Sequence, residues 1–144
     1  MNSTRDAADL ITALAIASDR FRKAGHGIYR SHDAECGWKQ FSNYAGSKQR
    51  ATCLGFAITL EDDREIDVEV MVASAPDGLI VSGDIMIDVD DEETGQRHQE
   101  PLLELPDVLT TTVRDCISTL DAYVEQLTNA APALVAQALV QRLP

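Results

Sequence analysis

The 144-residue sequence is typical of an α+β two-layer sandwich, in which an antiparallel β-meander of three to five strands is covered by helices. Three patterns predict it: an amphipathic helical segment near the N-terminus, a series of alternating segments with short turns in the middle, and a further amphipathic helical region near the C-terminus. We expect an N-terminal helix and one or two C-terminal helices. The length suits one domain, which we assign to residues 1–144.

The N-terminal helix is predicted at about residues 4–23. Ser3 followed by Asp6 can satisfy the free amides of a helix N-terminus. Gly25 and Gly27 are expected to end the helix. Residues 25–48 show little periodicity, and a short strand at 38–44 is left open. One apolar stripe at helical spacing supports the helix: Ala7, Leu10, Ile11, Leu14, Ala17 and Phe21.

The strands are predicted from alternation of apolar residues in three runs, at 52–60, 66–72 and 84–89. The turn after the second run is Ala-Pro-Asp-Gly, in which Pro presets φ and Gly suits the last position. Gly83 is expected to mark a bulge. Residues 96–105 are a candidate fourth strand. Since the loops are short, neighbouring strands must be antiparallel.

The C-terminal region is predicted to begin a helix near Pro106, whose missing N–H costs nothing in a first helical turn. We expect Asn129 and Pro132 to end this helix and to open another. The first stripe is Leu109, Val113, Cys116, Ile117, Leu120, Val124 and Leu127, and the second is Leu134, Val135, Ala138, Leu139 and Leu143.

The composition excludes several classes of function. The sequence contains 12 Lys and Arg residues and 24 Asp and Glu residues, so the formal net charge is −12. That field repels phosphate backbones and anionic lipid, so we expect no nucleic-acid and no membrane partner. The N-terminus lacks the pattern of a secretory signal, and three widely spaced cysteines do not form a disulfide framework. A soluble, cytoplasmic protein is therefore expected.

The acidic residues are concentrated in the predicted strands and turns. Between Glu61 and Glu93 there are thirteen acidic residues and one basic residue, whereas the segment from Arg20 to Arg50 is basic and rich in aromatics. One interpretation is a solvated sheet face that maintains solubility. The other is a docking surface for a basic protein. The candidate partner-binding residues are Asp62, Asp63, Asp67, Glu69, Asp84, Asp88, Asp90, Asp91, Glu92 and Glu93.

Catalytic and metal-binding motifs are weak. The sequence Asp88-x-Asp90-x-Glu92 resembles the opening of a calcium loop, but the Gly and Glu required later in the loop are missing. His26, His32 and Cys36 would give zinc only three ligands. A nucleophilic role for Cys36, the thiol expected to be least buried, has no supporting sequence context. We predict no catalytic residue, no metal and no cofactor.

The order of elements, with a helix, acidic antiparallel strands and amphipathic C-terminal helices, resembles two groups of small acidic bacterial proteins. Toxin-immunity proteins imply an acidic surface that binds a basic toxin. Type III secretion chaperones imply binding through an apolar groove and a dimer. We expect a non-catalytic protein that binds a basic partner, with immunity first, a chaperone or adaptor second, and a small enzyme using a thiol or carboxylate third. Homodimerisation is left open.

Overall fold

The computed structural model describes residues 3–32, 36–45 and 50–141. Within these ranges, five strands form one antiparallel sheet in chain order, and two helices pack beside each other on it. This confirms the predicted α+β two-layer arrangement. In the described residues, neither helix contains a segment long and apolar enough to cross a membrane. The elements are α1 (Ser3–His32), β1 (Cys36–Ala45), β2 (Ala51–Leu60), β3 (Glu65–Ala75), β4 (Gly78–Asp90), β5 (Arg97–Thr110) and α2 (Val113–Gln141).

The core lies between the sheet and the helices. Alternate residues of β2 and β3, such as Phe56 and Val68, are fully buried against the helices. Phe21 of α1 packs on Phe56 with 6.1 Å between the ring centroids. Helix α2 adds Leu120 and Leu127 to the same cluster. Because strand residues alternate between faces, the residues between these positions lie on the opposite face of the sheet.

The predicted end of α1 near residue 23 was wrong, because the helix continues through both glycines to His32. Gly25 lies where α1 approaches the sheet closely. A Cβ added there would lie 2.8 Å from Cε3 of Trp38 and 3.0 Å from Cγ of Phe56. Gly27 faces open space. Packing on the sheet thus extends the helix beyond residues whose local preference is to end it.

The single C-terminal helix of the described chain agrees with the expected number of one or two, but its predicted start and the predicted break were wrong. Residues 106–110 belong to β5, and α2 begins at Val113 after the Oγ1 of Thr112 accepts a 3.0 Å hydrogen bond from the Asp115 amide. One helix then continues through Pro132 to Gln141. Ala131 and Val135 are both fully buried, so the apolar stripe spans the predicted break. Leu143 lies outside the described residues.

The strands are longer than predicted, and two that were left open are present. These are β1 and β5, and β5 pairs with β4 along most of its length. The pairing shifts register between Val81 and Gly83, next to the predicted bulge. Gly78 closes the two-residue turn at φ +155°, where a Cβ would lie 2.0 Å from the Thr110 carbonyl oxygen.

Candidate functional site on the open face of the sheet

The open face is the side of the sheet that faces away from the two helices. Ile66 and Val68 of β3 are buried under the helices, so Glu65, Asp67 and Glu69 lie on the open face. These three carboxylates are partly buried. The alternating acidic positions predicted from the sequence therefore share one surface.

A row of three carboxylates crosses the middle of the open face. Glu69 on β3 lies directly opposite Asp84 on β4, and Asp84 lies directly opposite Glu104 on β5. On the other side of Glu69, β2 places Gly55, which carries no side chain. Directly opposed residues have their Cβ atoms roughly 4.5–5.5 Å apart, so these like charges repel one another. We call Glu69, Asp84 and Glu104 the carboxylate row.

The environment of Asp84 favours its protonated form. Burial, followed by the negative charges of Glu69, Glu104 and Asp67, raises its pKa to about 6. Burial and the charge of Glu65 also raise the pKa of Asp67, against a 2.8 Å hydrogen bond that Nε2 of Gln99 donates to its Oδ2. A cation placed at the carboxylate row would reverse these effects, since it favours the charged form.

An open depression of about 410 Å³ adjoins the carboxylate row. Its lining combines the carboxylates of Asp84 and Glu104 with the apolar side chains of Met71 and Pro106. Such a lining offers an apolar contact for an aliphatic side-chain stem and carboxylates for a charged head group.

A second group of predicted residues lies in two turns at one end of the sheet. Arg97 links the turns, because its Nε donates to Oδ1 of Asp90 at 2.8 Å and its Nη1 donates to the carbonyl oxygen of Asp63 at 3.0 Å. Nε of Arg64 donates to Oδ2 of Asp62 at 2.7 Å. The remaining members of this group are Asp91, Glu92 and Glu93 in the turn between β4 and β5.

The segment that resembles a calcium loop does not converge on one point. Oδ2 of Asp88 accepts a 2.9 Å hydrogen bond from the Glu65 amide, and Asp90 is paired with Arg97. In the described residues there is no group of three or more His, Cys, Asp or Glu side chains suited to a metal ion.

The burial of the cysteine thiols differs from the prediction that Cys36 is the least buried. Cys36 is buried, and Cys53, which lies on the open face, is the more exposed of the two. Burial, then the nearby carboxylate of Glu69, raises the pKa of Cys53 to about 11, so this thiol stays protonated at neutral pH. His26, which was considered as a zinc ligand and not predicted as one, lies beside aromatic rings, with its ring centroid 5.9 Å from that of Trp38.

Two acidic residues of this face were missed from the sequence. Glu104 joins the carboxylate row, and Glu65 pairs with Nζ of Lys39 on β1 at 3.1 Å. Alternation within β3 places Glu65 beside Asp67 and Glu69 and was a usable signal. No sequence signal indicated Glu104, because its position opposite Asp84 depends on the register between β5 and β4.

Comparisons with known proteins return no match, whether against protein-family models, curated proteins or solved structures.

Proposed function

We propose that this chain is a non-catalytic binding protein that holds a basic protein partner on the open face of its sheet. The observation that carries the proposal is the carboxylate row next to a partly apolar depression. A Lys or Arg side chain of the partner fits this combination, with its stem on Met71 and Pro106 and its cationic head at Asp84 and Glu104.

The energetics of the row support a cationic ligand. In the free protein, Asp84 lies between two like charges on neighbouring strands, which is unfavourable. A guanidinium or ammonium group would replace this repulsion with attraction and would donate charge-assisted hydrogen bonds to the carboxylates of the row. The acidic turns at the end of the sheet extend the negative field and would accelerate encounter with a basic protein.

Neutralisation of a basic toxin is the role that we propose first. Such a role requires fast association and a surface that selects one strongly basic partner. A net charge of −12, with ten predicted acidic residues on the open face and its adjoining turns, supports this role, because such a field accelerates association with a basic protein and disfavours acidic ones.

The test compares two variants with the same change in net charge. The open-face variant is Glu69→Gln, Asp84→Asn and Glu104→Gln. The control variant is Asp9→Asn, Asp121→Asn and Glu125→Gln, which changes exposed carboxylates on the helices. Immobilised wild-type protein and both variants are used to capture proteins from a lysate of the native host at low and high salt, and bound proteins are identified by mass spectrometry.

We expect the wild type and the control variant to capture the same basic protein, with less captured at high salt. The open-face variant should capture much less of this basic protein than the wild type does. Equal loss from both variants would show that net charge alone attracts the partner, and equal retention would show that the open face is not the binding surface; either result overturns the proposal.

A further inference from the structure

The two edges of the sheet differ in how they are protected against pairing with another strand. The β5 edge contains Pro101 and Pro106, which have no N–H to donate, and two shifts of register. The β1 edge has neither: Cys36–Ala45 pairs residue for residue with Ala51–Leu60. Among the described strands β1 is the last on this side, so alternate residues within 37–45 direct their N–H and C=O groups away from the sheet.

Helix α1 presents a stripe of exposed and half-buried side chains above this edge. Its members are Ile11, Ser18, Arg22 and Tyr29, which fall within about 40° of one another at 100° per residue. Ile11 is 67% exposed and Tyr29 is 38% exposed. Ser18 locates the stripe over β1, because its carbonyl oxygen and Oγ accept hydrogen bonds from Nε2 of Gln40 at 2.8 and 2.9 Å.

The stripe is symmetric about residue 20. Ile11 and Tyr29 lie nine residues to either side of it, and Ser18 and Arg22 lie two residues to either side. Gln40, which binds Ser18, is also close to the middle of β1. A twofold axis through the middle of the β1 edge would therefore bring Ile11 against Tyr29 of a second copy, and Ser18 against Arg22.

We propose that β1 and the α1 stripe form the interface of a twofold-symmetric homodimer, in which two β1 strands pair antiparallel and join the sheets. The spacing fits helix packing. Helix α1 packs on both β1 and β2, so the two α1 axes would lie about 10 Å apart, given a strand spacing of about 4.8 Å. The assembly stops at two copies, because the dimer has both β1 edges paired and its remaining edges are the β5 strands, whose prolines disfavour further strand pairing.

The distribution of charge favours a second copy at this edge. Strands β1 and β2 contain no Asp or Glu, and their one charged residue is Lys39. Two chains of net charge −12 therefore meet through their least acidic strands, with the acidic strands β3 and β4 kept apart. The open faces of both copies lie on the same side of the joined sheet, because the axis is perpendicular to it.

The test is sedimentation equilibrium over a wide range of protein concentration. The wild type should dimerise. Ile11→Asp should raise the dissociation constant of the dimer at least about tenfold, because it places a charge in the apolar contact. Ile16→Asp is the control: Ile16 is 53% exposed on the same helix but lies outside the stripe, so its dissociation constant should stay within about twofold of the wild type. Circular dichroism checks that both variants fold.

Hydrogen exchange provides a second measurement. Amides of β1 should exchange more slowly in the wild type at high protein concentration than in Ile11→Asp, while amides of β3 should not differ. A monomeric wild type at every concentration overturns the proposal. Equal weakening of the dimer by Ile16→Asp and Ile11→Asp also overturns it. So does a dimer in which the β1 amides exchange as fast as they do in the monomer.

Discussion

Single residues in this protein have roles that depend on what surrounds them, as the two glycines of α1 show. We expect Gly27→Ala to raise the free energy of unfolding by about 0.4–1 kcal/mol, because alanine favours a helix and the site is open. Gly25→Ala should lower it by about 1–3 kcal/mol, because the new methyl group would collide with Trp38 and Phe56. Urea unfolding of both variants measures this, and an equal gain in stability would contradict the close packing at Gly25.

The titration of Asp84 also belongs to a single residue. Its pKa is raised to about 6 in the folded protein from 3.8, chiefly by burial, so the folded state binds the proton more tightly than the unfolded state does. The contribution of Asp84 to stability is therefore most favourable below pH 3.8 and is lost as the pH rises through 6.

We accordingly expect Asp84→Asn to stabilise the protein at pH 8 by roughly 1 kcal/mol, a figure reduced for the partial exposure of the carboxyl group. The gain should shrink between pH 6 and pH 4. Urea unfolding at several pH values measures it, and Asp77→Asn in the exposed turn between β3 and β4 is the control. A gain that does not vary with pH would argue against a raised pKa at Asp84.

Among the elements, the strands were recognised better than the ends of the helices. Alternation is a local property, and β2 and β3 show it clearly. The end of a helix is a balance between local preference and burial of its stripe, and burial outweighs Gly25 in α1 and Pro132 in α2. The first half of β5 carries polar side chains on both faces, so it lacked the alternation that reveals a strand.

Pro132 destabilises the interior of helix α2, because it has no N–H to donate to the carbonyl oxygen of Thr128. Pro132→Ala should raise the free energy of unfolding by about 1–3 kcal/mol. The gain is reduced in part because alanine leaves the unfolded chain more conformational freedom than proline does. Thermal and urea unfolding measure this, and Ala133→Pro at the exposed neighbouring position should do the opposite. Unchanged stability of Pro132→Ala would mean that the helix has adapted fully to the proline.

The whole molecule separates its charge across the sheet. The strands β1 and β2 lack carboxylates, whereas β3, β4 and β5 carry the open-face acids and the acidic turns. The two proposals therefore use different regions: a basic partner on the acidic strands and a second copy at the β1 edge. If both hold, the dimer presents two acidic faces on one side, and a partner with two basic sites would bind it with increased avidity.

Short-range patterns in the amino-acid order were enough to establish the α+β architecture, the antiparallel strands and the acidic face, because alternation and helical spacing are visible within a few residues. Three-dimensional packing established the rest. The position of Glu104 opposite Asp84 depends on the register of β5, and the burial of Cys36 depends on the layer above it. The continuation of α1 past Gly25 depends on its packing against the sheet. Each of these joins residues far apart in the chain, and their free energy exists only once the layers have packed.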